Sequence, residues 1–187
     1  MPTHPPYTPS EALARETFLA LMWSLSYPGR IHTLPDSGPP FESIAHALLD
    51  LETTFYTPEA ALANVLAHNG ARAFPPETAA YHFYPAVTDL ASIRAASVGT
   101  LLYPDRSATL FVDCTLNADD GDLFILTGPG INGETRVRVA GLPREFWAIR
   151  EQRCRFPLGW DVYLIDQSRV IGLPRSTKML SVAHDAR

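Results

Sequence analysis

The chain predicts a mixed α/β fold: a mixed central β-sheet with helices on both faces. Three observations lead there. Through the first half, amphipathic helical stripes alternate with short β-branched or aromatic runs. After Ala108 the apolar period shortens to two, the pattern of hairpins. Near the end, FPLGWDVYLID (156–166) carries an apolar run around one acid, Asp161, and a second run, Val170–Leu173, follows at once. With 187 residues and 46% apolar content the chain can build a substantial core, and residues 1–187 read as one domain with Met1–Pro9 as a loose, Pro-rich arm.

The elements follow in order. Ser10 is the expected cap of a helix over 11–26, with Ala14, Phe18, Leu21, Met22 and Leu25 on its core stripe. Leu19 and Trp23 fall on a second apolar face, which suits either a buried helix or a subunit contact. Tyr27-Pro28-Gly29 stops this helix, and Arg30–Leu34 reads as a short strand. Phe41, Ile44, Ala45 and Leu48 make a second helix, and Thr53–Tyr56 a strand. Thr57-Pro58 opens a third helix with Leu62, Val65 and Leu66 inward, ended by Asn69-Gly70. Tyr81–Tyr84 is a strand, and Thr88 or Asp89 caps a helix facing inward through Leu90, Ile93 and Ser97. Ala108, Leu110, Val112, Cys114 and Leu116 share one face of a long strand, with Phe111 on the other. Leu123–Leu126 and Thr135–Val139 pair as a hairpin across the loop Gly128–Glu134. Pro143 starts a helix to about Arg153, Trp160–Asp166 and Arg169–Leu173 are strands, and a last strand lies near Met179–Val182.

Charge narrows the function. The net charge is −5, but residues 1–135 sum to −10 and residues 136–187 to +5. Either the two parts mix in space, or Arg136, Arg138, Arg144, Arg150, Arg153 and Arg155 form a basic face for an acidic subunit or a phosphorylated ligand. An acidic chain without a recognition motif argues against nucleic acid. No apolar run approaches the ~20 residues of a membrane span. The N-terminal stretch has neither a basic n-region nor an apolar h-region, so a cytoplasmic setting is expected. Cys114 and Cys154 read as free thiols, too few for an iron–sulfur cluster or a structural zinc site. The six histidines show no metal-ligand spacing, so no metal is expected.

Four stretches together resemble one family: FLALMWSLSYPGRI, ILTGPGI, FPLGWDVYLID and VIGLPRST. Their order and spacing are similar to those of the PhnH family, subunits of the bacterial carbon–phosphorus lyase system that degrades organic phosphonates. The resemblance implies a reduced form of the large domain of pyridoxal-phosphate-dependent transferases, without the cofactor. It implies homodimers that join a core assembly with partner subunits, including nucleosidase-like and radical-enzyme subunits. That assembly couples ATP to an alkylphosphonate, forming a ribose 1-phosphonate 5-triphosphate before the carbon–phosphorus bond is cleaved.

The residues are compatible with a subunit that leaves the chemistry to others. A pyridoxal enzyme needs an aldimine lysine, and the single lysine, Lys178, reads as a surface residue. A P-loop and the G-x-S-x-G elbow are both absent. Two places suit an anion: the glycines Gly128 and Gly130, and Arg175-Ser176-Thr177 just beyond a strand end. Each has a structural alternative, a shaped hairpin loop for the first and an Arg175–Asp161 pair for the second. Asp161 is read as a structural acid, because a buried carboxylate needs a partner. Leu19, Trp23, Arg136 and Arg138 are the expected interface residues, for a second copy or for other lyase subunits.

Overall fold

A computed structural model describes residues 7–35 and 38–182. Met1–Pro6 of the expected arm, part of the loop after Leu34, and His4 and His184 lie outside the described residues. Helix α1 spans Pro9–Ser26. Its cap is Thr8 rather than Ser10: the Thr8 hydroxyl accepts from Glu11 N–H (3.2 Å), and the Glu11 carboxylate accepts from Thr8 N–H (2.8 Å). Pro9 therefore belongs to the helix, at the position where a missing N–H costs nothing.

Strand β1 is His32–Thr33, α2 is Pro40–Leu48, β2 is Thr54–Tyr56 and α3 is Ala60–Ala67. Helix α3 begins later than Thr57-Pro58 predicts, and Val65 of its expected stripe is exposed. Two short strands follow, β3 (Arg72–Ala73) and β4 (Tyr81–Tyr84), then α4 (Leu90–Ala95), capped by Asp89 at 2.9 Å from Ala91 N–H. Strand β5 is Thr109–Asp113, β6 Thr115–Leu116, β7 Asp122–Thr127 and β8 Thr135–Ala140. Helix α5 (Arg144–Arg153) precedes β9 (Asp161–Asp166), β10 (Arg169–Leu173) and β11 (Lys178–Val182).

The strands form two sheets. The larger has seven strands in the order β1-β10-β9-β5-β4-β2-β3. The pairs from β9 through β3 are parallel, and β10 is antiparallel to both β9 and β1, so β10 alone of these seven runs backwards. The mixed central sheet agrees with the sequence reading. The second sheet, four antiparallel strands in the order β11-β7-β8-β6, was not anticipated. The run 108–116, expected as one strand, changes sheet at Cys114, and the chain changes sheet again between Leu173 and Lys178. Period-two apolarity continues through Cys114, so the pattern cannot mark the first crossing; Pro174-Arg175-Ser176-Thr177 interrupts it at the second.

Each face of the seven-stranded sheet buries its own core. On one face Phe83, Phe111 and Tyr163 lie in register across β4, β5 and β9. Their rings stack at 4.9 Å between successive centroids, with Leu21 of α1, Phe41 and Ile44 of α2 and Leu66 of α3 above them. On the other face Leu110, Val112, Val162 and Leu164 pack with Phe124 and Val137 of the second sheet, Ile93 of α4, and Phe146 and Ile149 of α5. Strand β9 is covered on both sides, which explains its unbroken apolar sequence. FPLGWDVYLID is thus sheet centre.

Helix α1 departs most from its predicted stripe. It buries Thr17, Leu21 and Ser24, while Phe18 and Met22 of the expected core stripe are exposed. The cause is Gly172 of β10. A Cβ there would meet the Ser24 and Leu25 backbone at 2.6 Å. The helix rests its backbone on that glycine, and only small side chains fit beneath it.

Candidate functional site

Where the chain passes from the large sheet to the small one, Pro174–Thr177 forms a turn closed by Thr177 N–H to the Pro174 carbonyl (2.9 Å). Two arginines hold it. Arg175 forks onto Asp161, with Nη2 at 2.8 Å from Oδ2 and Nε at 3.3 Å from Oδ1, and its own N–H donates to Oδ1 at 2.8 Å. Its Nη1 donates to the Pro104 carbonyl at 2.6 Å. Arg150 reaches the same turn from α5, donating to the carbonyls of Pro174 (2.9 Å) and Thr177 (3.3 Å). Arg150 is 4% exposed and has no carboxylate within ion-pair distance among the described residues. Burial pulls its pKa down, with Cys154 and then Asp161 acting the other way.

Beside this turn lies a cleft of about 860 Å³ between α5 and β11. That is ample for a small-molecule ligand. Of the predicted ligand residues, Arg175, Ser176 and Thr177 line it, and so does Lys178. Gly128 and Gly130 do not. A Cβ at Gly130, whose φ is +82°, would fall 2.3 Å from the Ser26 carbonyl oxygen, and one at Gly128 would meet the Ser176 carbonyl at 3.1 Å. This loop is close-packed against the end of α1 and the Pro174–Thr177 turn. Trp147, Arg150 and Cys154 also line the cleft, one helical face at i, i+3, i+7; of the three, the sequence points only to Arg150, as part of a basic face for an acidic subunit or a phosphorylated ligand.

The predicted interface residues separate in space. Trp23 is 45% exposed, and Phe18, Met22, Tyr27 and Ile31 are exposed as well, whereas Leu19 is half-buried. The Trp23 and Tyr27 rings stack at 5.8 Å, and the Arg30 guanidinium covers Tyr27 at 4.9 Å. Arg136 and Arg138 sit on β8, Arg136 facing Glu134 at 3.4 Å and Arg138 donating to the Gly121 carbonyl at 3.3 Å. With Arg150 buried and Arg144 facing Asp122 at 3.6 Å, the arginines of 136–155 do not form one basic face.

A model of the bacterial phosphonate metabolism protein (PhnH) family matches residues 7–180. The chain belongs to that family. A relative from Stutzerimonas stutzeri, named "Putative C-P lyase subunit protein HtxG", is 33% identical over 177 residues, covering 89% of this chain and 86% of the relative. The alpha-D-ribose 1-methylphosphonate 5-triphosphate synthase subunit PhnH of Rhizobium meliloti (strain 1021) is 40% identical over 86 residues, 44% of this chain and 42% of that one. The stretches that resemble the PhnH family also meet in space. Gly29 of SYPGRI packs on Leu126 and Thr135, Gly130 of ILTGPGI on Ser26 and Pro28, and Gly128 on the Ser176-Thr177 backbone of PRST.

The chemistry within reach is limited. Burial, followed by Asp113 and Asp166, pushes the Cys114 thiol up to about 12, so it is not a nucleophile at neutral pH. His82 is buried between the Tyr84 hydroxyl (3.0 Å) and the Ala79 carbonyl (3.2 Å), and burial lowers its pKa to about 4. Asp166 accepts from Leu116 N–H (2.9 Å) and from Arg169, pinning the β5–β6 crossing to the end of β9. Among the described residues no group of three or more His, Cys, Asp or Glu could hold a metal ion, and no helix is long and apolar enough to cross a membrane.

Proposed function

We propose that this chain is a docking subunit of the carbon–phosphorus lyase system, working in the assembly that joins ATP to an alkylphosphonate before the carbon–phosphorus bond is cut. The observation that carries this reading is the family match from residue 7 to 180. It is supported by a relative of nearly equal span whose name makes it a lyase subunit, and by one named as a subunit of the triphosphate synthase. The scaffold is a pyridoxal-phosphate transferase domain reduced to a docking role. A seven-stranded sheet with a single reversed strand supports that descent. The setting is cytoplasmic.

The α1 face carries self-association. Phe18, Met22, Trp23 and Tyr27 are exposed, and they include a stacked aromatic pair, the kind of anchor that dominates protein interfaces. The test is light scattering of the isolated chain and of Trp23→Asp, followed by co-purification with the other lyase subunits. The wild type is expected to be dimeric and to co-purify, and the variant to be a folded monomer. A variant that stays dimeric removes this face, and a wild type that captures no lyase subunit overturns the subunit reading. A second reading, a phosphorylated small molecule held at Arg175, Ser176 and Thr177 with Gly128 and Gly130, is favoured only for the three residues that line the cleft.

A further inference from the structure

Buried polar atoms without a hydrogen-bond partner are uncommon in folded proteins, and each calls for an explanation. Seven side-chain atoms of this kind occur among the described residues. Three of the seven, Trp147 Nε1, Arg150 Nε and Thr177 Oγ1, belong to residues lining the one cleft between α5 and β11. The nitrogens of Trp147 and Arg150 can only donate, and the Thr177 hydroxyl can donate, so an acceptor is what all three lack. Charge agrees. Arg175 is engaged by Asp161 and Arg144 by Asp122, which leaves Arg150, Arg155 and Lys178 against Glu151. A buried guanidinium without a carboxylate is costly unless an anion joins it. The cleft also offers apolar surface, with Phe124 and Trp147 at 4.7 Å between ring centroids and Met179 beside them.

We propose that this cleft binds a phosphate- or phosphonate-bearing small molecule. Its anion is taken by the hydrogens of Trp147 Nε1, Arg150 Nε and Thr177 Oγ1, which are buried in the unliganded chain and are uncovered by side-chain movement on binding, and its apolar group lies against Phe124 and Met179. A tetrahedral phosphoryl group offers an oxygen to each of three donors and carries enough charge for the cationic excess. The inference sharpens the second reading by moving the site from Gly128, Gly130 and Arg175 onto the α5 face. It is independent of assembly, since it is read on the isolated chain.

The test is calorimetry of the full chain with phenyl phosphate, benzoate and benzylammonium. Phenyl phosphate is expected to bind, benzoate at least tenfold more weakly, and benzylammonium not at all. Thr177→Val and Trp147→Phe each remove one unpaired donor and no hydrogen bond, so both variants fold, checked by thermal melting. Each is expected to weaken phenyl phosphate at least tenfold. Arg150→Lys keeps the charge but loses the Nε–H and the fork, and is expected to weaken it further. No phenyl phosphate binding at ~1 mM, where binding is worth only about −4 kcal/mol, overturns the site. Unchanged affinity in both Thr177→Val and Trp147→Phe does the same. Benzoate binding as tightly as phenyl phosphate overturns the phosphoryl assignment.

Discussion

On one face of the seven-stranded sheet, Phe83, Phe111 and Tyr163 stack in register beneath three helices. On the other, Trp147, Arg150 and Thr177 line a cleft, each with a buried donor that has no partner. The first face gives its buried surface to packing. The second holds its apolar core under the small sheet and keeps a polar margin where the chain changes sheets. Both faces therefore hold the fold together, and the cleft belongs to the second. Substitutions on the helical face should act on folding, and substitutions at the cleft on binding.

The largest expected effect is on the helical face. Phe111→Ala removes the middle ring of the stack from a fully buried position. It should cost about 4 kcal/mol, measured by urea unfolding. A loss below about 1 kcal/mol would mean that the surrounding helices collapse into the gap. Gly172→Ala should cost about 3 kcal/mol by overpacking, because its methyl group would lie 2.6 Å from the α1 backbone. A neutral result would show that α1 can lift away from β10 freely.

His82 extends the comparison to pH. It sits on β4 with its ring towards Tyr56 and Tyr84, away from the aromatic stack. Burial lowers its folded pKa to about 4, below the ordinary value of 6.5. As pH falls from 6.5 towards 4 the unfolded chain takes up a proton that the native state refuses, so stability is full above 6.5 and declines through that window. Between pH 7 and 5 the loss from this residue should be roughly 2 kcal/mol. The check is unfolding free energy against pH for the wild type and His82→Gln; parallel curves would remove His82 as the cause. The smallest change in stability is expected for Trp23→Asp, within about 0.5 kcal/mol, because the side chain is already 45% exposed.

The order of the elements follows from residue pattern alone. The helical periods around Ile44 and Ile93, the hairpin of β7 and β8, and the doubly buried β9 are local properties, and local sterics and apolar spacing fix them. The family is equally a matter of sequence, since its stretches stand together in order. Asp161 also announced itself, because an acid inside an apolar strand requires a partner. The Arg175–Asp161 pair that the sequence offers is the one that forms, whereas Arg150 being left without a carboxylate is a matter of distance between segments that share no local signal. The same holds for the division of strands between two sheets: alternation continues unbroken through Cys114, and only the packing of the small sheet against the large one decides that the chain crosses there. The outer face of α1 was misread for a related reason. Apolar residues on all sides leave a helix's orientation undetermined, and the backbone contact at Gly172 chooses it. The sequence by itself therefore determined the elements and the family. Tertiary structure decided which face is open and which buried donors are left unpaired, because burial depends on neighbours distant in the chain.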